Sequence, residues 1–98
     1  MTSYSARVPT ANGSRYLQQL CKHWSHRFDV DFTSDRGVVD AGFGKLMLVA
    51  SDDSLTVSCD LAEGADASKM QQVVADHINR FAFREGELEF DWKAGRVA

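Results

Sequence analysis

The sequence predicts an α+β fold of two layers, in which a mainly antiparallel sheet carries two helices on one face. Two segments repeat apolar residues at helical spacing, and the segments around them alternate apolar with polar residues, which is typical of half-buried strands. Four of these strands follow one another through short connections, a pattern that favours an antiparallel meander. The predicted order of elements is therefore β-α-β-β-β-β-α-β.

Length and composition indicate an ordinary globular domain. No linker or repeat divides the 98 residues, so we predict a single domain over residues 1–98. Hydrophobic residues make up 44% of the chain and charged residues 26%, which excludes a disordered or collagen-like protein. The formal net charge is −3. We therefore expect no nucleic-acid partner, because phosphate contacts usually need a basic face.

The apolar runs and the cysteines indicate the cellular compartment of the protein. The longest uninterrupted apolar run, residues 46–50, is too short for a signal peptide or a membrane span, so no membrane partner is expected. Cys21 and Cys59 are too few for a disulfide scaffold, and each falls on a predicted apolar face. We predict two reduced, buried thiols in a cytoplasmic protein.

The first half of the chain holds one strand, one helix and the start of the meander. Pro9 ends a strand in which apolar residues alternate, and Asn12 is a suitable N-cap for a helix that runs to about residue 27. The apolar face of this helix consists of Leu17, Leu20, Cys21, Trp24 and Phe28. The meander strands are predicted at residues 28–32, 38–39, 45–50 and 55–61, with turn-forming residues between them.

The second half closes with a helix and a strand. Helix two is predicted to start near Asp66 or at Ser68, where Ser68 and Gln71 can form a capping box, and to end near Gly86. The closing strand has three apolar residues alternating with acids, namely Leu88, Phe90 and Trp92. The whole order resembles the topology of the TATA-binding protein, an analogy of fold that implies no function.

Several polar residues border the apolar faces of the two helices. On helix one, Tyr16 and His23 lie at the seam between the buried and the exposed face. His77 falls in the middle of the apolar face of helix two, where its ring nitrogens need hydrogen-bond partners. We interpret His77 first as a core histidine, with a pocket-lining residue and a metal ligand as the alternatives.

Motifs for catalysis or metal binding are absent from the sequence. Only His23 and His26 fall at chelating spacing, so we expect no tight metal site. The chain lacks a nucleophile elbow, an H-E-x-x-H motif, a C-x-x-C motif and a phosphate-binding loop. Acids on the predicted strands alternate outward, as solvated faces do. No catalytic residue and no cofactor is identified.

Two long segments carry a family resemblance. Residues 16–26 read YLQQLCKHWSH, and residues 77–85 read HINRFAFRE. The chain resembles the bacterial DUF2218 family (domain of unknown function 2218), whose members look like Y-L-x-x-L-C-K-H-W near the start and H-x-x-R-F-A-F-R-E near the end. Some relatives are associated with siderophore-interacting flavoproteins, which implies a role accessory to iron metabolism. Gly13 stands where relatives more often have alanine, which should weaken the first helical turn by up to ~1 kcal/mol.

The resemblance selects the candidate ligand-binding residues. They are the polar and aromatic members of the two motifs, namely Tyr16, His23, Trp24, His77, Arg80 and Arg84. If the two helices pack side by side, Tyr16, His23, His77 and Arg80 could converge on one small polar pocket.

Three functions are compatible with these observations. The first is a non-enzymatic cytosolic binding module for a small ligand or a protein partner. The second is a small enzyme with His23 or His77 as general base, and the third is a structural domain that forms a homodimer. The residues identify neither the ligand nor the oligomeric state.

Overall fold

A computed structural model of the chain has an antiparallel sheet and two helices, and it confirms the predicted α+β class. The structure describes residues 2–41, 44–61, 66–85, 88 and 90–94, with only the backbone of Thr2, Arg84 and Ala94. The elements are β1 (Thr2–Pro9), α1 (Gly13–Trp24), β2 (Asp29–Phe32), β3 (Arg36–Asp40), β4 (Gly44–Ala50), β5 (Ser54–Leu61), α2 (Ala67–Phe81), a short 3-10 helix (Phe83–Glu85) and β6 (Lys93–Ala94). None of the helices in these ranges is long and apolar enough to cross a membrane.

The sheet combines a meander with two strands from the ends of the chain. Its spatial order is β2-β3-β4-β5-β1-β6, and each pair of neighbours is antiparallel. Strands β2 to β5 form the meander that the short connections predicted. The register places Val8 opposite Leu55 and Leu55 opposite Ala50, so alternate residues of these strands share one face of the sheet.

The core lies between that inner face of the sheet and the helices. Buried side chains from β3, β4 and β5 join those of both helices in one cluster, so α1 and α2 pack on the same face. The cluster includes Leu17, Leu20, Leu46, Leu48, Val57, Val74 and Ile78, each at most 1% exposed. The opposite, outer face of the sheet has no described helix on it and exposes Val38 and Val49.

Both cysteines are free thiols inside the core, as predicted. Cys21 lies on α1 and Cys59 on β5, and each is at most 1% exposed. Burial raises the pKa of Cys21 to about 11 and the pKa of Cys59 to about 12. Because the thiolate is the reactive form, these residues act as small apolar groups of the core.

Helix α1 lies close to the sheet because two glycines leave space for it. A Cβ atom at Gly37 of β3 would lie 2.7 Å from Sγ of Cys21, and one at Gly13 would lie 2.9 Å from the carbonyl oxygen of Ser54. Alanine at position 13 would gain helix propensity, as expected from the sequence, but it would meet the backbone of β5. Close packing therefore favours the glycine.

The first helix differs from its prediction at both ends. It ends at Trp24, three residues earlier than predicted. The backbone N–H groups of Arg27 and Phe28 both donate hydrogen bonds to the carbonyl oxygen of Trp24, which closes a turn there. Asn12 occupies the N-cap position, but its side chain makes no capping bond. That side chain instead donates to Glu85, 73 residues away in sequence.

The second helix also differs from its prediction. Asp66 is the N-cap, and its carboxylate accepts a hydrogen bond from the backbone N–H of Lys69 at 3.1 Å. The predicted capping box of Ser68 and Gln71 is therefore wrong. The helix ends at Phe81 and a short 3-10 helix follows, so the predicted extension toward Gly86 is too long. Gly86 itself lies outside the described residues.

The closing strand is shorter and later than predicted. Among the described residues of this segment, only Lys93 and Ala94 pair with the sheet, opposite Ser5 and Tyr4 of β1. Of the residues predicted to alternate in this strand, Leu88, Phe90 and Trp92 pack against the core and are partly buried, while Glu87 and Glu89 lie outside the described residues. The apolar residues thus contact the core as predicted without joining the sheet.

Candidate functional site

A cavity of about 290 Å³ lies between the two helices and the inner face of β3 and β4. Its floor is apolar. Val39, Leu46 and Met70 are buried there, and Phe28 and Val73 complete the apolar wall. A site of this size is close to the lower end, about 300 Å³, of the range typical of small-molecule pockets.

The opening of the cavity, which we call the mouth, carries charged side chains. Arg27 follows α1, and Lys69 lies in the first turn of α2; both are exposed and line the cavity. Neither forms an ion pair within the part of the chain that the structure describes. Asp66 also lines the mouth, and its carboxylate already accepts the N-capping hydrogen bond of α2.

Three aromatic side chains form one wall of the cavity. The ring of His77 lies 5.6 Å from that of His23 and 5.3 Å from that of Trp24, measured between ring centroids. Trp24 in turn packs edge-on against Phe28 at 6.0 Å. Trp24 is only 7% exposed, so it links the wall of the cavity to the core.

The hydrogen bond of His77 determines which ring nitrogen carries a proton. Nδ1 lies 2.7 Å from the carbonyl oxygen of Val73, one turn earlier in α2. A carbonyl oxygen only accepts hydrogen bonds, so Nδ1 must be the donor. In the neutral ring, Nε2 is then a lone-pair acceptor that this bond does not use.

A second polar cluster lies away from the cavity. The carboxylate of Glu85, in the 3-10 helix after α2, accepts hydrogen bonds from three side chains. The donors are the hydroxyl of Tyr16, Oγ1 of Thr10 at 3.0 Å and Nδ2 of Asn12 at 3.2 Å. The cluster therefore ties the end of α2 to the start of α1 and the end of β1.

This cluster shifts the pKa of both of its titratable members. The hydrogen bond from Tyr16, followed by those from Asn12 and Thr10, lowers the pKa of Glu85, although desolvation acts in the opposite direction. Burial, and then the contact with Glu85, raises the pKa of Tyr16. The carboxylate and the neutral phenol are the forms that the cluster stabilises.

The residues of both clusters fall within a span that matches a known family. The model of a family described as "Uncharacterized protein conserved in bacteria (DUF2218)" matches residues 5–93. The chain belongs to the DUF2218 family. The resemblance seen in the two motifs is thereby confirmed.

One solved structure supports the α+β fold. The chain is similar to the NMR structure of PA4090 from Pseudomonas aeruginosa, with 35% identity and a TM-score of 0.79, over 95% of this chain and 96% of that chain. No curated protein matches the sequence.

The structure brings together half of the candidate residues of this DUF2218 domain. His23, Trp24 and His77 line one cavity, so the two histidines share a pocket, but its floor is apolar, in contrast to the hypothesis of one small polar pocket. The hypothesis is wrong for Tyr16, which is buried and whose hydroxyl donates a hydrogen bond to Glu85. It is also wrong for Arg80, which is exposed and does not line the cavity. The side chain of Arg84 lies outside the described part of the structure. Whether any of the six binds a ligand stays a prediction.

His77 is less buried than the sequence suggested. The residues of α2 that are buried are Met70, Val74 and Ile78, four residues apart along the helix. His77 is half-buried beside this stripe, and Val73 is 36% exposed. The interpretation of His77 as a core histidine is therefore wrong, and the pocket-lining alternative describes its position.

The sequence did not predict the three charged lining residues or the partner of Tyr16. Arg27, Asp66 and Lys69 stand at helix ends, where charged residues are common, so nothing marked them. Glu85 is the last residue of the second motif, but a glutamate after a helix usually faces water. No group of three or more His, Cys, Asp or Glu that could hold a metal ion occurs in the described ranges.

The Glu85 cluster gives a stability prediction. Glu85→Ala should lower the free energy of unfolding by about 1 to 3 kcal/mol, because the buried hydroxyl of Tyr16 would lose its acceptor. Urea denaturation at neutral pH measures this loss, with Arg80→Ala as the exposed control. In a double-mutant cycle, Tyr16→Phe should recover part of the cost. A Glu85→Ala protein as stable as the native protein would contradict the role of the cluster.

The same cluster predicts the direction of the pH effect. The pKa of Glu85 is lower in the folded than in the unfolded protein, so its contribution is complete above the unfolded value of about 4.3 and is lost as the pH falls through the folded value. The stability difference between the native protein and Glu85→Ala should therefore shrink in acid. A difference that stays constant down to acid unfolding would contradict this expectation.

Proposed function

We propose that this DUF2218 domain is a non-enzymatic cytosolic binding module whose small ligand occupies the cavity between α1 and α2. The observation that carries the proposal is the apolar cavity with the rings of His23, Trp24 and His77 in its wall. These three residues come from the two motifs that carry the family resemblance. An enclosed apolar floor with a few convergent polar groups is the usual composition of a ligand site.

Hydroxyl and thiol nucleophiles are absent from the described lining of the cavity, which favours binding. Among the described residues that line it, none is a serine, threonine, cysteine or tyrosine, so no nucleophilic hydroxyl or thiol faces the histidines there. Both cysteines are buried elsewhere in the core, and Tyr16 is held by Glu85. The link to iron metabolism rests on the family resemblance alone and is not needed for this proposal.

A fragment screen by two-dimensional NMR tests the proposal. Apolar fragments should shift the signals of Trp24, His77 and Leu46 in the native protein. Val73→Trp would fill the cavity from its rim, and since Val73 is 36% exposed, the fold should tolerate the change. The matched control is Val49→Trp on the outer face of the sheet, where the valine is 41% exposed.

The two variants separate binding in the cavity from unspecific adhesion. The proposal expects that Val73→Trp abolishes the fragment-induced shifts and that Val49→Trp leaves them unchanged. If no fragment shifts the lining residues, or if both variants behave alike, the cavity is not a ligand site.

An enzyme with His77 as general base is the alternative that a specific observation supports. The hydrogen bond from Nδ1 of His77 to the carbonyl oxygen of Val73 fixes the tautomer of the ring, so that Nε2 can accept a proton. On this alternative, a bound molecule would be converted over time, and His77→Gln would abolish conversion while binding persists. Unchanged NMR spectra of bound fragments over days would instead support the binding module.

The structural homodimer stays a third prediction. Its motivation is the outer face of the sheet, where Val38 is 37% and Val49 is 41% exposed. These two valines make a small apolar area compared with the interface of a stable dimer. Sedimentation velocity at several protein concentrations decides this point, and a constant monomeric mass would rule the homodimer out.

A further inference from the structure

We infer that the ligand of the cavity is an apolar organic acid carrying one negative charge, with its acid group at Arg27 and Lys69. This inference rests on the proposed function and specifies the class of ligand. Its two parts, the apolar body and the anionic group, follow from two different regions of the cavity.

The charge of the mouth is opposite in sign to that of the whole chain. The protein has a net charge of −3, yet among the residues that the structure describes the mouth presents Arg27 and Lys69 against a single carboxylate, Asp66. That carboxylate already accepts the backbone N–H of Lys69. The local excess of one positive charge, without a partner among the described residues, would attract one negative charge of a ligand.

The N-terminus of α2 also favours a negative charge at the mouth. Asp66, Lys69 and Met70 belong to the start of this 15-residue helix and all line the cavity. The N-terminus of a helix carries a partial positive charge, which favours an anion near its first turn. This effect adds to the two side-chain charges.

His77 is less suited than the two cations to hold the acid group. In neutral His77, Nδ1 donates to Val73, so only the lone pair of Nε2 remains, and a lone pair does not bind a carboxylate. We therefore assign the acid group to Arg27 and Lys69, while His23, His77 and Trp24 contact the ligand through their rings.

The apolar floor of the cavity indicates that the body of the ligand is apolar. Val39 and Leu46 are 0% exposed and Met70 is 4% exposed, and none of the three offers a strong hydrogen-bonding side chain. A polar or multiply charged molecule would lose its hydration there without replacement. A flat or compact apolar body with one acid group matches both the floor and the mouth.

An isosteric pair of probes tests the inference, namely 2-naphthoate and its neutral analogue 2-naphthamide. NMR titration at low salt should show the acid binding several-fold more tightly than the amide, because the exposed cations Arg27 and Lys69 attract the carboxylate and not the neutral amide. Added salt should reduce this preference, since the mouth is exposed to solvent.

Charge-removing variants locate the acid group. Arg27→Gln and Lys69→Gln should each weaken binding of 2-naphthoate several-fold and leave 2-naphthamide unchanged. Both residues are exposed, so the fold should persist, and thermal melting checks this. Lys22→Gln is the matched control, because Lys22 is an exposed cation of α1 that does not line the cavity.

The outcomes separate this inference from the proposed function. Equal binding of acid and amide, or equal effects of Lys22→Gln and Lys69→Gln, would overturn the assignment of an acid and leave the cavity as a ligand site. If neither probe binds at millimolar concentration, the ligand class is wrong, and the fragment screen with Val73→Trp decides separately whether the cavity binds at all.

Discussion

Replacing Trp24 with alanine is expected to lower the free energy of unfolding by about 3 to 5 kcal/mol, the usual cost of removing a buried aromatic side chain. Trp24 is 7% exposed and packs edge-on against both Phe28 and His77. Its removal would join the cavity to a new void in the core, because the surrounding β-sheet cannot collapse around the missing indole. Urea denaturation followed by far-UV circular dichroism measures the loss.

The neighbouring His23 provides the control for this experiment. His23 lies next to Trp24 in the first motif and also lines the cavity, but it is exposed. His23→Ala should therefore change stability by less than about 0.5 kcal/mol. If Trp24→Ala costs no more than His23→Ala, Trp24 does not connect the cavity to the core.

A chain that ends after residue 87 is expected to lose cooperative unfolding. The truncation removes Leu88, Phe90 and Trp92, which are partly buried against the core, and also the pairing of β6 with β1. At about half the cost of fully buried side chains, the three would contribute about 4 to 7 kcal/mol together. Such a loss is comparable to the total stability of a small domain, about 5 to 15 kcal/mol.

Calorimetry of the truncated and the full-length proteins tests this expectation. Phe90→Ala and Trp92→Ala in the full-length chain show how much each aromatic contributes without the loss of β6. Lys93→Ala is the matched control, because that side chain is 75% exposed and should have little effect. A truncated protein with the melting transition of the full chain would show that the closing segment is dispensable.

Local patterns determined the elements of this fold. Alternation in residues 55–61 predicted a strand with one buried face, and Leu55, Val57 and Cys59 are at most 1% exposed. Helical spacing predicted both helices for the same reason, since the buried face of an element depends on residues close together in sequence. The two motifs likewise identified the family without reference to the fold.

The edges of the apolar faces were harder to predict. Helical spacing placed His77 in the middle of the apolar face of α2, but the residues of this helix that are buried are Met70, Val74 and Ile78. Arg80 consequently points into solvent instead of toward α1. The rotation of a helix about its axis depends on the surface it packs against, which is formed by residues far away in sequence.

The sequence by itself determined the fold class, the helices, the meander strands and the family. Only the tertiary structure decided that His23, Trp24 and His77 share a cavity with Arg27 and Lys69, and that Tyr16 binds Glu85, 69 residues away. It also placed β1 between β5 and β6. Each of these contacts joins segments distant along the chain, and periodicity within one segment carries no information about which distant segment will lie beside it.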